Sequence, residues 1–419
     1  MNAKSLNDAE SELSALDTLA NEILQELDSH LFLPQLTSWG DRYDFPTRID
    51  GTINVRRVFR AVTYEGHTIN RQPNLDKFVQ MKVNIGCKRG IDFCHKDPIM
   101  GGWELASLYD IAGGEEFHNE THFLVGIPGS ALTVDAIGKI EFYIRQQHMH
   151  PPVSALLPPE DLAVIARDIE QHGALPIAGE VVRERYRGRC REVYLYESDD
   201  LPYYEIADYG DSNPLVDSPG GCRGSKLPTD GWQASTKVLN KGQLITIAGV
   251  YDVKPRDDYR PLTEQKTFVV TDDVTTSPTG TAEIPISPAI NDGKLTDNAG
   301  DGSTESGKST HQTCSNEADD NAIITVVGAG DVGENKGKRF RQGFIFDKRA
   351  MQYVNVRMEK STQPGVYQEH ATDQHVGLDV LYTAWTDGRN LKESHRLDVS
   401  GAVKVVHPEL VVRIITGMA

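Results

Sequence analysis

Three stretches of this 419-residue chain combine residue types at spacings that could do chemistry. The first is Gly328-Ala329-Gly330-Asp331-Val332-Gly333, directly after the apolar run AIITVV, with Asp347 ending a later run, GFIFD. It spells GxGxxG. In that fingerprint the glycines let the backbone close on a pyrophosphate, and a helix opening at the last glycine holds the anion. Here only nine residues, ENKGKRFRQ, follow before the next apolar run, and one of them is apolar. A crossover between parallel strands needs a dozen residues or more. The expected structure is therefore a glycine-rich turn, and a dinucleotide-dependent oxidoreductase is a remote alternative.

The second stretch is His118-Asn119-Glu120-Thr121-His122, with Glu115 and Glu116 nearby. Two imidazoles four apart on a helix can share a zinc ion, but the metalloprotease pattern places its glutamate directly after the first histidine. Glu120 sits two positions on, which turns it off the shared face, so the expectation is a solvated helix end. His148-Met149-His150 is a weaker signal of the same kind. The third stretch is the pair Lys77 and Lys82, which could enter covalent links between chains. With an ordinary amine pKa near 10.4, these read as exposed lysines. No GxSxG, no P-loop and no locally supported Cys–His pair occurs. No catalytic residue, cofactor site or metal site is expected, and the chain does not read as an enzyme.

The elements that would position such residues follow from periodicity. In residues 6–31, Leu13, Leu16, Ala20, Ile23, Leu24 and Leu27 recur at helical steps, with Asp8, Glu10, Glu12, Asp17, Glu22, Glu26 and Asp28 between them. Lys4 is the only lysine or arginine before Arg42. This acidic helix is either a docking arm or a packed end. GTINVRRVFRAVTY, with Arg56, Arg57 and Arg60, reads as a strand, and KFVQMKVNIGCKRGIDF, from Lys77, as its return. A long two-stranded hairpin is marginal alone in water, so it must lie on its own domain or on a neighbouring subunit. In 98–126 the pairs Gly101-Gly102 and Gly113-Gly114 predict two short helices or a broken one, since glycine costs up to about 1 kcal/mol inside a helix.

Helices are predicted over 134–147 and over LLPPEDLAVIARDIEQHG, which opens on prolines and acidic residues and stops at Gly173. Between Lys241 and Ile290 the period falls to two. Ala282, Ile284 and Ile286 alternate with Thr281, Glu283, Pro285 and Ser287, and Gly, Pro and Asp runs divide the segments. That is a small antiparallel sandwich or barrel, read as a module inserted into a discontinuous host. Residues 291–321 hold one large apolar residue, Leu295, and read as a solvated loop. After Gly343, Val354, Val356 and Met358 alternate with Asn355, Arg357 and Glu359 as a half-buried strand. The run through Leu410, Val412 and Ile414 is apolar on both sides, apart from Arg413, as in a central strand.

Bulk properties exclude several classes. Composition is that of a globular protein, 38% hydrophobic and 25% charged. No run of about 20 apolar residues could span a membrane, and the first residues lack the order of a signal peptide. Five scattered cysteines without a CxxC point to a reducing cytoplasm. The net charge of −18, from 61 acidic and 43 basic residues, argues against a surface that grips nucleic acid throughout. An acidic arm, a basic hairpin, a split host and a β module without a catalytic constellation together describe a protein that works by making contacts.

Four blocks, GTINVRRVFRA, KGQLITIAGVYDVKP…FVVTDD…AEIPISPAI, NAIITVVGA and RLDVSGAVKVVHPELVVRI, resemble the major capsid (coat) proteins of tailed phages. The likeness is to the branch of the Salmonella short-tailed phage coat protein, which carries an inserted domain. The resemblance implies an α+β chain with the Hong Kong phage capsid fold. It implies an N-terminal arm (1–48), an E-loop hairpin (49–97), a peripheral domain with a spine helix (98–129), an axial domain (130–219), an inserted β domain (220–335), and completion of the axial and peripheral domains (336–419). The Gly-Gly pairs depart from a continuous spine helix.

It further implies no active site and no cofactor. The partners would be other copies in hexamers and pentamers, a scaffolding protein, a portal, a cement protein, and packaged double-stranded DNA held non-specifically, with no membrane. The location would be the virion capsid, assembled in the cytoplasm of a bacterial host. On this reading Arg56, Arg57, Arg60, Lys77 and Lys82 make contacts between subunits, and Asp8, Glu10, Glu12 and Asp17 receive a basic scaffold segment. A bacterial nanocompartment shell keeps the fold and changes the cargo. A tail or cement protein built of β modules fits the predicted helices less well.

Overall fold

The computed structural model describes residues 32–39, 43–44, 52–57, 77–82, 85–86, 89–91, 98–126, 128–132, 134–146, 149, 153–171, 186–190, 192–254, 259–293, 312–330, 334–360, 366–372, 379–387 and 392–418. The chain is mixed and sheet-rich with few helices, and it divides into two compact units. One comprises 1–59, 75–116 and 347–407, the other 60–74, 117–346 and 408–419. The helix predicted over 6–31, with Asp8, Glu10, Glu12 and Asp17, lies outside the described residues, as does Arg60.

The first unit is built on an eight-stranded sheet. Its path runs Ser38–Trp39, Met351–Arg357, Lys392–Val405, Asp379–Asp387, Val366–Thr372, with short strands added at Tyr43–Asp44, Ile85–Gly86 and Arg89–Ile91. The predicted return strand from Lys77 is thus three pieces, Lys77–Lys82 and the two short ones, both of which pair with Lys392–Val405. The glycine pairs do not break the helix that follows. Helix α1 is continuous from Pro98 to Glu120. The reason lies in packing. A β-carbon at Gly113 would overlap the Tyr353 hydroxyl and Leu33, so the missing side chain is what lets the helix approach. The Tyr353 hydroxyl then donates to the Tyr109 carbonyl at 3.0 Å, and Trp39, Tyr109 and Tyr353 stack with centroids 5.8–6.4 Å apart. Burial of two tyrosines outweighs a propensity cost of about 1 kcal/mol per glycine.

Asn355 departs from the expected half-buried strand. It is buried, its amide donates to the Ser400 carbonyl at 3.2 Å, and its oxygen accepts the Asp379 N–H at 3.2 Å. A polar side chain on the inner face is tolerated because both ends are satisfied.

The second unit holds a seven-stranded sheet of path Leu124–Val125, Val411–Met418, Arg339–Phe346, Val153–Leu157, Val193–Glu197, Tyr186–Cys190, with Tyr204–Glu205 paired to the start of Arg339–Phe346. The last strand is central and buried along Val411–Thr416, as its two-sided apolar pattern requires. Helices α2 (Val134–Gln146) and α3 (Pro159–Gln171) form where predicted, with Ile137, Ile140, Ile144, Leu162 and Ile165 buried. The expected acidic first turn of α3 does more than complement the dipole. Asp161 is fully buried and accepts the Thr416 hydroxyl at 2.6 Å and an Arg341 guanidinium N–H at 3.3 Å.

Between Leu215 and Val326 the same unit forms a six-stranded sheet of path Leu215–Val216, Gly224–Asp230, Ala282–Ile290, Arg260–Val270, Leu244–Lys254, Ile324–Val326, with every named pair antiparallel. Its two ends meet. Leu215 bridges Ile323, Asn321 donates to the Val216 carbonyl at 2.8 Å, and Ile324 to that of Pro214 at 3.0 Å. The sheet therefore closes on itself as a barrel. Ile284 and Ile286 point into it as their alternation predicts. Its core does not end at the barrel wall, because the same buried cluster continues through Tyr204, Phe340 and Ile415 of the seven-stranded sheet.

Of the loop expected over 291–321, residues 294–311 lie outside the described residues, and the described part is not solvated throughout. Cys314 and Ala318 are fully buried, Cys314 bridges Asp252, and Thr313 donates its amide to the Asn291 carbonyl at 2.9 Å. Small residues pack here because the barrel surrounds them.

Candidate assembly elements and a buried polar junction

The hairpin predicted from alternating apolar residues is present. Thr52–Arg57 pairs with Lys77–Lys82 in one antiparallel register, from Thr52 opposite Lys82 to Arg57 opposite Lys77. Its root rests on its own chain, as Ile53 and Met81 are buried with Val354, Val356 and Ala402. Toward its far end, Arg56 stands opposite Phe78 and Arg57 opposite Lys77. Of the five basic residues singled out, the register brings Arg57 and Lys77 together and places Lys82 at the opposite end, across from Thr52.

In the second unit a polar cluster was not legible from the sequence. Arg413, on the central strand, is 0% exposed. Its guanidinium donates to the Gly242 carbonyl at 2.7 Å and to the carbonyl of His118, and lies over the Tyr204 ring at 5.8 Å. Among the described residues no carboxylate forms an ion pair with it. Burial pushes its pKa down to about 10. Its counter-charge is instead a set of carbonyl dipoles, one at the negative end of α1.

His118 and Gln342 complete the cluster. The Gln342 amide donates to His118 Nδ1 at 2.9 Å and, at 2.5 Å, to the Pro202 carbonyl. His118 Nδ1 is thereby an acceptor, so the proton sits on Nε2, which donates to the Lys241 carbonyl at 3.3 Å. Burial first, and the adjacent Arg413 second, push the imidazole pKa down to about 3. A β-carbon at Gly242, whose φ is +80°, would overlap the His118 ring. The Tyr204 hydroxyl accepts the Leu244 N–H at 3.2 Å and donates to the Val327 carbonyl at 2.9 Å, and its pKa is pushed up to about 12 by burial.

The stretch read as a solvated helix end is thus a packed one. His118 is engaged as above, and His122 is buried with its ring 4.4 Å from that of Phe123. For His118 the deciding partners, Gln342 and Lys241, are distant in sequence and were not visible in local composition. The GxGxxG stretch turns as expected. Gly328 and Gly330 have φ of +86° and +80°, Asn335 donates its side-chain amide to the Gly328 carbonyl at 3.0 Å, and a strand begins at Arg339. Among the described residues no group of three or more potential metal ligands gathers, and no helix is long and apolar enough to cross a membrane.

No family model matches the chain, and no curated protein does. Solved structures match over nearly its full length. A chain of Mycobacterium phage Che8 covers 92% of this chain and 90% of its own, at 11% identity and a TM-score of 0.39. One from the mature capsid of bacteriophage PhiM1 covers 92% and 86%, at 10% identity and 0.40. One from the SrpI encapsulin complex of Synechococcus elongatus covers 91% and 86%, at 9% identity and 0.34.

Proposed function

We propose that this chain is a major capsid protein that tiles into an icosahedral shell of hexamers and pentamers around double-stranded DNA. The observation that carries the reading is where the four resembling blocks fall. They lie on a basic hairpin, on the strands of a closed barrel, on the barrel's last strand, and on the paired long strands that complete both units. Residues 1–48 act as the arm, 49–97 as the E-loop, 98–129 as the peripheral domain with its spine helix, 130–219 as the first part of the axial domain, 220–335 as the insertion, and 336–419 as the completion of the axial and peripheral domains. The protein has no catalytic role on this reading. Its partners are its own copies, a scaffolding protein, a portal and a cement protein, and its place is the virion wall after assembly in a bacterial host.

The physical case rests on the hairpin and on number. A hairpin end with Arg57 opposite Lys77 seeks carboxylates elsewhere, and a neighbouring copy of a chain with net charge −18 supplies them. Single contacts of about 4 kcal/mol correspond to millimolar affinity. A closed lattice of them is stable through multivalency and still lets misplaced subunits leave.

Electron microscopy of the purified, overexpressed protein tests the reading, with and without its scaffold. Hollow closed particles are expected. A chain that stays monomeric under both conditions defeats it. Replacing Arg56, Arg57 and Arg60 together by glutamate is expected to abolish closure, and unchanged yield removes the hairpin from the argument. Deleting residues 1–30 is expected to abolish scaffold-dependent assembly, which tests Asp8, Glu10, Glu12 and Asp17 as the docking residues; assembly left intact defeats that assignment.

A further inference from the structure

The six-stranded barrel is tied into the rest of its unit at the turn that leads into its strand Leu244–Lys254. The turn Asn240–Gln243 is closed by the Gln243 N–H on the Asn240 carbonyl at 3.2 Å. His118 Nε2 donates to the Lys241 carbonyl and Arg413 to that of Gly242. Arg413 also reaches back to the His118 carbonyl. One buried guanidinium therefore holds the last turn of α1, the central strand of the seven-stranded sheet and the turn before Leu244–Lys254. Below it, the Tyr204 hydroxyl joins Leu244 at the start of a barrel strand to Val327 just after the barrel's last strand.

We infer that Arg413 is the positioning residue that locks the barrel to the seven-stranded sheet, so that the two open and close as one cooperative body. Three observations carry this. The guanidinium has no carboxylate among its described contacts, so its charge is held by the Gly242 and His118 carbonyls and the Tyr204 ring. Gly242 has no room for a side chain against His118, so the turn seats in one way. The apolar cluster is continuous through Tyr204, Phe340 and Ile415, so the lock closes over a shared core. Lysine could keep the charge but not the fork that spans two acceptors. The inference does not depend on the shell-forming reading, since it concerns the single subunit.

Amide hydrogen exchange of the full chain tests it. The barrel reporters are the amides of Gly242 and Val270, which donate to Val270 and Gln243, and those of Ile245 and Ile247. The sheet reporters are Ile345 and Val412. In the unaltered chain both sets are expected to share one opening equilibrium. In Arg413→Met, which removes the charge without leaving an unpaired one, barrel amides are expected to exchange roughly tenfold faster or more for each charge-assisted bond lost, while sheet amides lag. Arg413→Lys is expected to fall between. Different openings in the unaltered chain overturn the inference, as does a shared opening in Arg413→Met. Loss of protection everywhere at once in both variants overturns it too, because Arg413 would then hold the whole unit instead of a junction.

Discussion

Acid should loosen the second unit through His118, and the size of the effect can be worked out. In the folded chain the imidazole is neutral, with its pKa near 3 against 6.5 unfolded. The groups facing it are Arg413 on the central strand, Gln342 on the neighbouring strand and Lys241 on the turn before Leu244–Lys254. Burial first, then the charge of Arg413, disfavours protonation in the native state and outweighs the hydrogen bonds to Gln342 and Lys241. Between pH 6.5 and 3 the unfolded chain binds a proton that the folded chain does not. Stability therefore rises with pH in this window: it is fully present above about pH 6.5 and is lost as pH falls toward the folded value.

At pH 5 the difference is about 1.5 units, or about 2 kcal/mol, an upper bound because the residue keeps partial exposure. The assay is urea unfolding of the purified subunit at pH 7.5, 6 and 5, with the variant His118→Gln beside it. Glutamine keeps a donor near the Nε2 position and removes the titration. The unaltered chain is expected to lose up to about 2 kcal/mol more than the variant between pH 7.5 and 5, with most of the difference arising below pH 6. Parallel curves for the two proteins would refute the reasoning, since other histidines and carboxylates titrate in both.

Other perturbations have equally definite outcomes. Gly113→Val should lower the denaturant midpoint by about 1–3 kcal/mol equivalent, since overlap with Tyr353 and Leu33 exceeds what a better helix former returns. Asn355→Leu should cost about 1–3 kcal/mol by leaving the Asp379 N–H and the Ser400 carbonyl unmet; an unchanged urea midpoint would show that the strands rearrange to satisfy both. Asp161→Ala strips the Thr416 hydroxyl and Arg341 of their buried acceptor and should cost about 3 kcal/mol, measured the same way.

The sequence made local regularities visible wherever one periodicity ran unbroken. Ile284 and Ile286 against Glu283 and Pro285 identified a barrel strand and its inner face, and the proline and acidic start of α3 marked its first turn. Local pattern also argued against a helix after GxGxxG, and a strand begins at Arg339, where nine residues left little space for one. What it could not show was anything decided by a partner far along the chain. Gly113 is a helix breaker by propensity and a packing necessity once Tyr353 arrives from 240 residues away. His118 looked solvated because its neighbours in sequence are polar, whereas its partners in space are Gln342 and Lys241, more than a hundred residues on.

Arg413 shows the same limit in its sharpest form. The run VVRIIT reads as a two-sided central strand, but nothing in it says how a buried arginine charge is met, and a buried unpaired charge is costly. Only the fold reveals that three carbonyl-bearing or aromatic groups, from residues 118, 204 and 242, converge on it. The cost of such burial depends on fixed dipoles being already in place, and those dipoles belong to the end of a helix and to a turn that glycine alone can make so close to His118. The arginine can therefore be tolerated only when the barrel is seated. A residue of that kind reports on the arrangement of a whole unit, which is why its side chain, more than the apolar strands on either side of it, is the place to probe whether the inserted barrel and its host sheet behave as one body.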